Sequence, residues 1–235
     1  MTGIILYEGP SMIDGAPIVV VATGSTNRKT GGMLQTWIIR ADVEPHEARK
    51  TGQDASICGD CPHRAGSCYV VLHQAPLSVF RAYKRGSYRT AGDLQTIAAV
   101  GKGKAVRLGS YGDPAAVPVE VWEALVSEAA SHTGYTHQWR KVPSLRTFCM
   151  ASCDTEADRL EAKANGWRTF RVRAADAPLM DREITCPASA EGGSRTTCDR
   201  CGLCAGLRKW SGKDVAIIVH GAAAKVNAYQ RTFAA

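Results

Sequence analysis

Four cysteines fall within the 19 residues Cys186–Cys204, and the last three, Cys198, Cys201 and Cys204, stand at C-x2-C-x2-C spacing. Two residues between thiols lets the backbone fold into a knuckle that points both sulfurs at one centre. Gly202 and Gly206 supply the positive-φ freedom such turns need. Four thiolates complete a tetrahedral zinc site, and the same run could instead hold an iron–sulfur cluster. Cysteines acting as small hydrophobes need apolar neighbours. Here Glu191, Arg195, Asp199 and Arg200 surround them. The spacing therefore predicts a metal site at Cys186, Cys198, Cys201 and Cys204.

A second group, Cys58-Gly-Asp-Cys61-Pro-His-Arg-Ala-Gly-Ser-Cys68, offers three thiols. A fourth ligand would come from His63, His73, Cys149, Cys153 or a molecule that is not protein. An open fourth position is what a catalytic zinc or a substrate-binding iron–sulfur cluster requires, whereas a closed Cys3His set would be a staple for a long loop. The nine cysteines are clustered and odd in number. The opening residues lack the basic-then-apolar layout of a signal peptide, so reduced thiols and a cytoplasmic location are expected. With 45% apolar and 22% charged residues the composition is that of a globular chain. No apolar run is long enough to span a bilayer, so no membrane partner is expected. A net charge of +7 makes a polyanion such as nucleic acid an expected partner.

Residues 3–42 read as β structure: Gly3–Tyr7, Pro17–Thr23 and Leu34–Ala41, rich in Ile, Val, Thr and Trp, with turn formers between them. The connection Gly24–Gly32 is basic and glycine-rich. It could wrap a phosphate through backbone amides and Arg28/Lys29, or be a mobile hairpin tip. A short helix is expected from Pro45, and an amphipathic one with a basic face over 76–90. From residue 104 strands and helices alternate. Strands are predicted at 104–111, 134–139, 146–152, 168–173 and 214–220, and helices at 118–131, 155–165 and 222–230. Repeated βα units make this an α/β chain with a mostly parallel sheet, open or bent into a partial or irregular (β/α) barrel. It is expected to form a single domain, with an N-terminal β region 1–57, a cysteine-rich insert 58–103 and a βα region 104–235.

In parallel α/β folds the reactive groups gather where strands run into the following loops. Those ends carry Tyr111 and Asp113, His137 and Trp139, Ser152 and Asp154, Arg171 and Arg173, Cys186 and Glu191, and His220. In Gly109-Ser-Tyr-Gly-Asp113-Pro two glycines flank a carboxylate directly after a strand, which presents the side chain while letting backbone approach a ligand. Asp113 could act as nucleophile or base with Asp154 as its partner carboxylate. Tyr111, His137 and Trp139 could contact a flat substrate such as a base, and Arg171 and Arg173 could hold phosphate.

The segments Ser56–Arg64, Ser67-Cys-Tyr69, Arg107–Pro114, Ile184–Pro187 and Cys198–Cys204 resemble a group of cysteine-rich proteins encoded by tailed phages, which would place the chain in the host cytoplasm. A remoter similarity is to the tRNA-guanine transglycosylases and the phage enzymes that insert 7-deazaguanine bases into DNA. Those are (β/α) barrels with a strand-end Asp nucleophile and a late zinc site of three Cys and one His. That resemblance implies base exchange at a guanine glycosidic bond, with Asp113 as nucleophile and zinc on Cys198, Cys201 and Cys204 with Cys186 or His220. The family's D-S-G-G-F-Q signature is missing, and C-x2-C stands where it has C-x-C. A rival similarity is to radical SAM enzymes, which combine a partial (β/α) barrel with an early three-cysteine cluster. It implies an iron–sulfur centre on Cys58, Cys61 and Cys68, at C-x2-C-x6-C in place of C-x3-C-x2-C. A third expectation is a non-catalytic nucleic-acid-binding module stapled by zinc.

Overall fold

Gly134 is where the chain crosses between two sheets, and the architecture follows from that crossing. The computed structural model describes residues 3–208 and 212–233. The strands are β1 Gly3–Pro10, β2 Pro17–Thr23, β3 Leu34–Arg40, β4 Arg89–Thr90, β5 Ala105–Tyr111 and β6 Ser131–Thr133, then β7 Tyr135–Thr136, β8 Met150–Cys153, β9 Thr169–Arg173, β10 Glu183–Thr185 and β11 Asp214–Ile218. The first six form one sheet in the order β4-β1-β2-β3-β5-β6, and the others a second in the order β10-β11-β9-β8-β7. Among the described residues only the β1–β2 and β2–β3 pairs are antiparallel, and every other pair is parallel. Gly134 alone separates β6 from β7. Its N–H donates to Cys204 O and its carbonyl accepts from Met150 N. A Cβ there would lie 2.7 Å from Cys149 Sγ, so only glycine fits this crossing.

The helices are α1 Pro45–Lys50, α2 Ala55–Cys58, α3 Ala75–Lys84, α4 Leu94–Gly101, α5 Val119–Ser127, α6 Glu156–Ala164, α7 Cys198–Cys201 and α8 Ala223–Phe233. The mixed α/β class and the mostly parallel sheets agree with the pattern of the sequence, and among the described residues the sheets form no closed barrel. Thr155 caps α6 in a reciprocal pair with Asp158. The helix expected over 76–90 ends at Lys84. Gly86 takes a φ of +66°, and Arg89 and Thr90 pair with Ile4 and Ile5 as β4. The strand expected at 146–152 begins only at Met150, because Pro143–Thr147 winds into a 3-10 turn.

The β-branched residues of β1–β3 and the apolar faces of α4 and α5 meet in one core. Its largest fully buried side chain, Trp122, donates from Nε1 to Pro114 O at 2.9 Å. A smaller apolar cluster around Met150, Val215 and Ile217 includes Cys186 and Cys204. Among the described residues no helix is long and apolar enough to cross a membrane.

One buried group makes the fold acid-sensitive. His132 on β6 is 4% exposed, with Nε2 3.1 Å from Phe148 O. Burial, with the Arg208 cation adding to it, pushes its pKa down to about 4. The unfolded chain takes up this proton near the ordinary value of ~6.5, so stability falls as pH drops from there towards 4. Urea denaturation should show a loss of roughly 2–3 kcal/mol from this group across that window. His132→Asn should flatten that part of the profile.

Candidate functional site

The parallel strands deliver their C-terminal ends to one rim, and the side chains below that rim line a cavity of about 330 Å3. Period-two alternation decides what faces it. From β9 it receives Phe170 and Val172, from β11 Val215 and Ile217, and from β5 Arg107 and Tyr111. Its wall is mainly apolar. Its polar groups are concentrated at two ends, each built around thiols.

At one end stand Cys58, Cys61 and Cys68. Their segment is held by protein groups. Arg64 pairs with Asp54 and donates to the carbonyls of Gly59 and Gly52, while Gln138 Nε2 donates to Asp60 Oδ1 at 2.6 Å. Gly59 takes φ +59°, and a Cβ there would strike the Gln138 amide. At the other end stand Cys186, Cys198, Cys201 and Cys204. The loop after β2 is docked on this knuckle: Lys29 O accepts from Cys198 N at 2.9 Å, and Asp199 Oδ2 accepts from Gly32 N at 3.0 Å. That loop brings Asn27 and Lys29 to the cavity.

Burial pushes the thiols of Cys58 and Cys68 up, and neighbouring thiols reinforce the effect at both. Burial likewise carries Cys204 up to about 12; a Tyr135 contact opposes this and Cys186 and Cys198 add to it. Such thiols become ligands only when a cation compensates their charge. Among the described residues no three sulfurs lie within 4.8 Å of one another. A tetrahedron of Zn–S bonds of ~2.3 Å has edges of roughly 3.8 Å. No three of the sulfurs are therefore gathered to the span of a single tetrahedral ion.

Beside the 58–68 thiols lies a carboxylate–imidazole chain. Asp154 Oδ1 is 2.8 Å from His63 Nε2 and its Oδ2 is 3.2 Å from His137 Nε2. Those three groups are close enough together to share a metal ion. Burial works against ionisation of Asp154, but the two imidazoles outweigh it and hold its pKa well below the carboxylate range. His137 Nε2 also lies 4.0 Å from Cys61 Sγ. Burial opposes the imidazolium, yet Cys61 and Asp154 together keep His137 above its usual value. His63 is bonded through Nδ1 to Ser67 and lies against the rings of Tyr229 and Phe233 on α8.

Asp113 faces the same cavity and is joined to this chain through the backbone of His137, whose N–H donates to Oδ2 at 2.8 Å. Its Oδ1 accepts from Ala115 N and Thr136 Oγ1, and its own N–H donates to Ile57 O. Burial raises its pKa against these donors. The two carboxylates picked from the sequence therefore lie on the same side of the molecule, and both oxygens of each are engaged.

Tyr111 and His137 line the cavity as expected, together with Tyr135, Ser152 and His220. Trp139, Arg171 and Arg173 do not line it; Arg171 and Arg173 line a separate depression together with Asp154, Tyr229 and Phe233. Trp139 is buried with Nε1 donating to Ser152 O. Arg171 and Arg173 occupy the alternate positions of β9, opposite Phe170 and Val172. The first pairs with Glu183 and the second donates to the carbonyls of Ala174, Ala175 and Ala177. His73 is exposed, and neither buried thiol, Cys149 or Cys153, reaches the cavity. The basic helix α3 does not line it either. Arg107, Gln138 and Thr136 escaped the sequence reading. The only available signal was the spacing of Arg107 from Tyr111, four residues apart on one strand.

Comparison of the chain with protein-family models, with curated proteins and with solved structures gives no match.

Proposed function

We propose that the chain is an iron–sulfur enzyme of radical type. One centre would be held by Cys58, Cys61 and Cys68, a second by Cys186, Cys198, Cys201 and Cys204, and the substrate between them. The observation that carries this reading is the convergence of seven cysteines, from two distant parts of the chain, on one cavity of ligand size. That no three sulfurs are gathered to the span of one ion is consistent with a polynuclear centre. Three thiols leave one metal position for a co-substrate, which the likeness to radical SAM enzymes identifies as a sulfonium. When bound, such a cluster supplies single electrons.

The chain's own residues would hold and screen the reactants. Asp154, kept ionised, orients His63 and His137. Asp113 fixes the β5 tip to α2 and to the backbone of His137. Base exchange at a glycosidic bond is the weaker reading. A carboxylate nucleophile needs a lone pair free to face the sugar, and the Asp113 oxygens accept three hydrogen bonds. Asp154, held ionised, would likewise make a poor general acid.

Anaerobic purification followed by iron, sulfide and zinc analysis tests the proposal. The expected product is brown, carries iron and acid-labile sulfide, and is bleached by dithionite. A colourless protein with stoichiometric zinc and no iron after cluster reconstitution would instead leave a zinc-stapled binding module.

A further inference from the structure

Strand β5 runs along the cavity and gives it two polar side chains on one face, Arg107 towards the 198–204 thiols and Tyr111 towards the 58–68 thiols. Both carry buried polar atoms without a protein partner: Arg107 Nε and the Tyr111 hydroxyl. On the neighbouring strand β6, Thr133 Oγ1 is a third such atom, also on the cavity wall. Buried donors in native proteins are nearly always satisfied, so three along one wall mark where a polar ligand belongs.

Arg107 is the most demanding of the three. One Nη donates to Tyr69 Oη at 2.7 Å, and the guanidinium carbon lies 5.9 Å from the centre of the Tyr135 ring. None of the ion pairs among the described residues includes Arg107 or Lys29, although both lie close enough to Cys198 to act on it electrostatically. The carboxylates of the cavity, Asp113 and Asp154, are committed to the partners described above. A partly buried cation without a carboxylate is costly. Thiolates would take up some of its charge, but sulfur is a weak acceptor. A guanidinium fork matches two oxygens of one anion far better.

The anion has neighbours that define its class. The loop carrying Asn27 and Lys29 sits at the same end, and the Tyr69 hydroxyl and the ring of Tyr135 flank the guanidinium. The wall between the two ends is mainly apolar, and about 330 Å3 is room for a body the size of a base with its sugar. We propose that Arg107, with Lys29 near it, clamps the phosphate of a nucleotide whose base and sugar occupy the cavity between the two thiol groups. This assignment rests on the reading of that cavity as the substrate site.

The test uses full-length protein purified anaerobically with its metal. It is titrated by calorimetry with the four ribonucleoside 5′-monophosphates, their nucleosides and a mixed-sequence single-stranded oligonucleotide. At least one phosphate-bearing probe should bind about tenfold or more tightly than the matching nucleoside. Arg107→Gln should erase that preference with metal content unchanged, and Arg107→Lys should keep part of it. Tight binding of a mononucleotide identifies the free nucleotide as the source of the phosphate, and tight binding of the oligonucleotide alone identifies a nucleotide within a strand. Equal affinity for nucleotide and nucleoside would overturn the clamp. So would an unchanged preference in Arg107→Gln, or loss of metal together with affinity in that variant. Iron-loaded protein that ignores phosphate would sink the clamp alone. Zinc-loaded protein that binds nucleotide would sink the iron–sulfur reading alone.

Discussion

On the proposed iron–sulfur reading, replacing Cys58, Cys61 and Cys68 together by alanine is expected to abolish turnover and remove roughly half of the bound iron, while the melting temperature moves by only a few degrees. The asymmetry follows from what holds each thiol group. The 58–68 segment is anchored by Arg64 on Asp54 and on two carbonyls, by Gln138 on Asp60, and by His63 between Ser67 and Asp154. None of those bonds needs a metal. The 186–204 group differs, because Cys186 and Cys204 are themselves part of the second apolar cluster, packed with Met150, Val215 and Ile217. Cys198→Ser with Cys204→Ser should therefore lower both iron content and thermal stability, since a buried hydroxyl without a partner costs about 1–3 kcal/mol. Iron analysis beside a thermal melt of each variant measures the contrast. If the first triple variant retained all its iron, that triad would hold no metal. If it unfolded as readily as the second variant, the triad would be a staple.

Sequence exposed the parts of this arrangement that are local. C-x2-C spacing is decided within a single turn, so both thiol groups could be picked out, and β1–β3 were legible because β-branched runs alternate with turn formers. Helix α4 left a trace too, since Asp93 accepts from Thr96 N as an N-cap, but Leu94–Gly101 was absorbed into the cysteine-rich insert. What stayed hidden depends on closure in three dimensions. That the two thiol groups share one cavity follows from the crossing at Gly134, where sequence shows only a glycine. The choice between faces of β9 is a second case. Phe170-Arg171-Val172-Arg173 alternates cleanly, but alternation does not say which face meets a ligand. The structure turns Phe170 and Val172 to the cavity and Arg171 to Glu183. On β5 the assignment is reversed, and the arginine is the residue that faces in.

That Arg171–Glu183 contact supports the second large effect, in which Glu183→Gln should cost about 3–5 kcal/mol and lower the melting temperature by roughly 10 °C. Strand β10 has three residues and pairs only with β11, so backbone bonds alone hold it weakly. Its Glu183 side chain is 0% exposed and accepts from Arg171 through both oxygens, at 2.8 and 2.6 Å, and from Met180 N at 2.9 Å. Arg159 lies 3.4 Å from the same carboxylate and also reaches Asp214, which Lys163 pairs at 2.9 Å. Asp214 Oδ1 in turn accepts from Thr169 N on β9. The network thus ties α6, β9, β10 and β11 together at a largely buried site. Burial favours the neutral form of Glu183, but Arg171 outweighs it and holds the pKa below the ordinary ~4.5. This contribution is therefore complete near neutral pH and fades as pH falls through that lowered value. Removing the charge leaves Arg171 in the interior without a carboxylate and Arg159 with only Asp214, which is why the single substitution is severe. The double variant Glu183→Leu with Arg171→Met should recover much of the loss, because an apolar pair of similar volume removes both charges at once. Because β10 leads directly into Cys186, Glu183→Gln should also loosen the second thiol group. Its iron should then be chelated faster in the single variant than in the double, whereas equal rates would uncouple β10 from the metal centre.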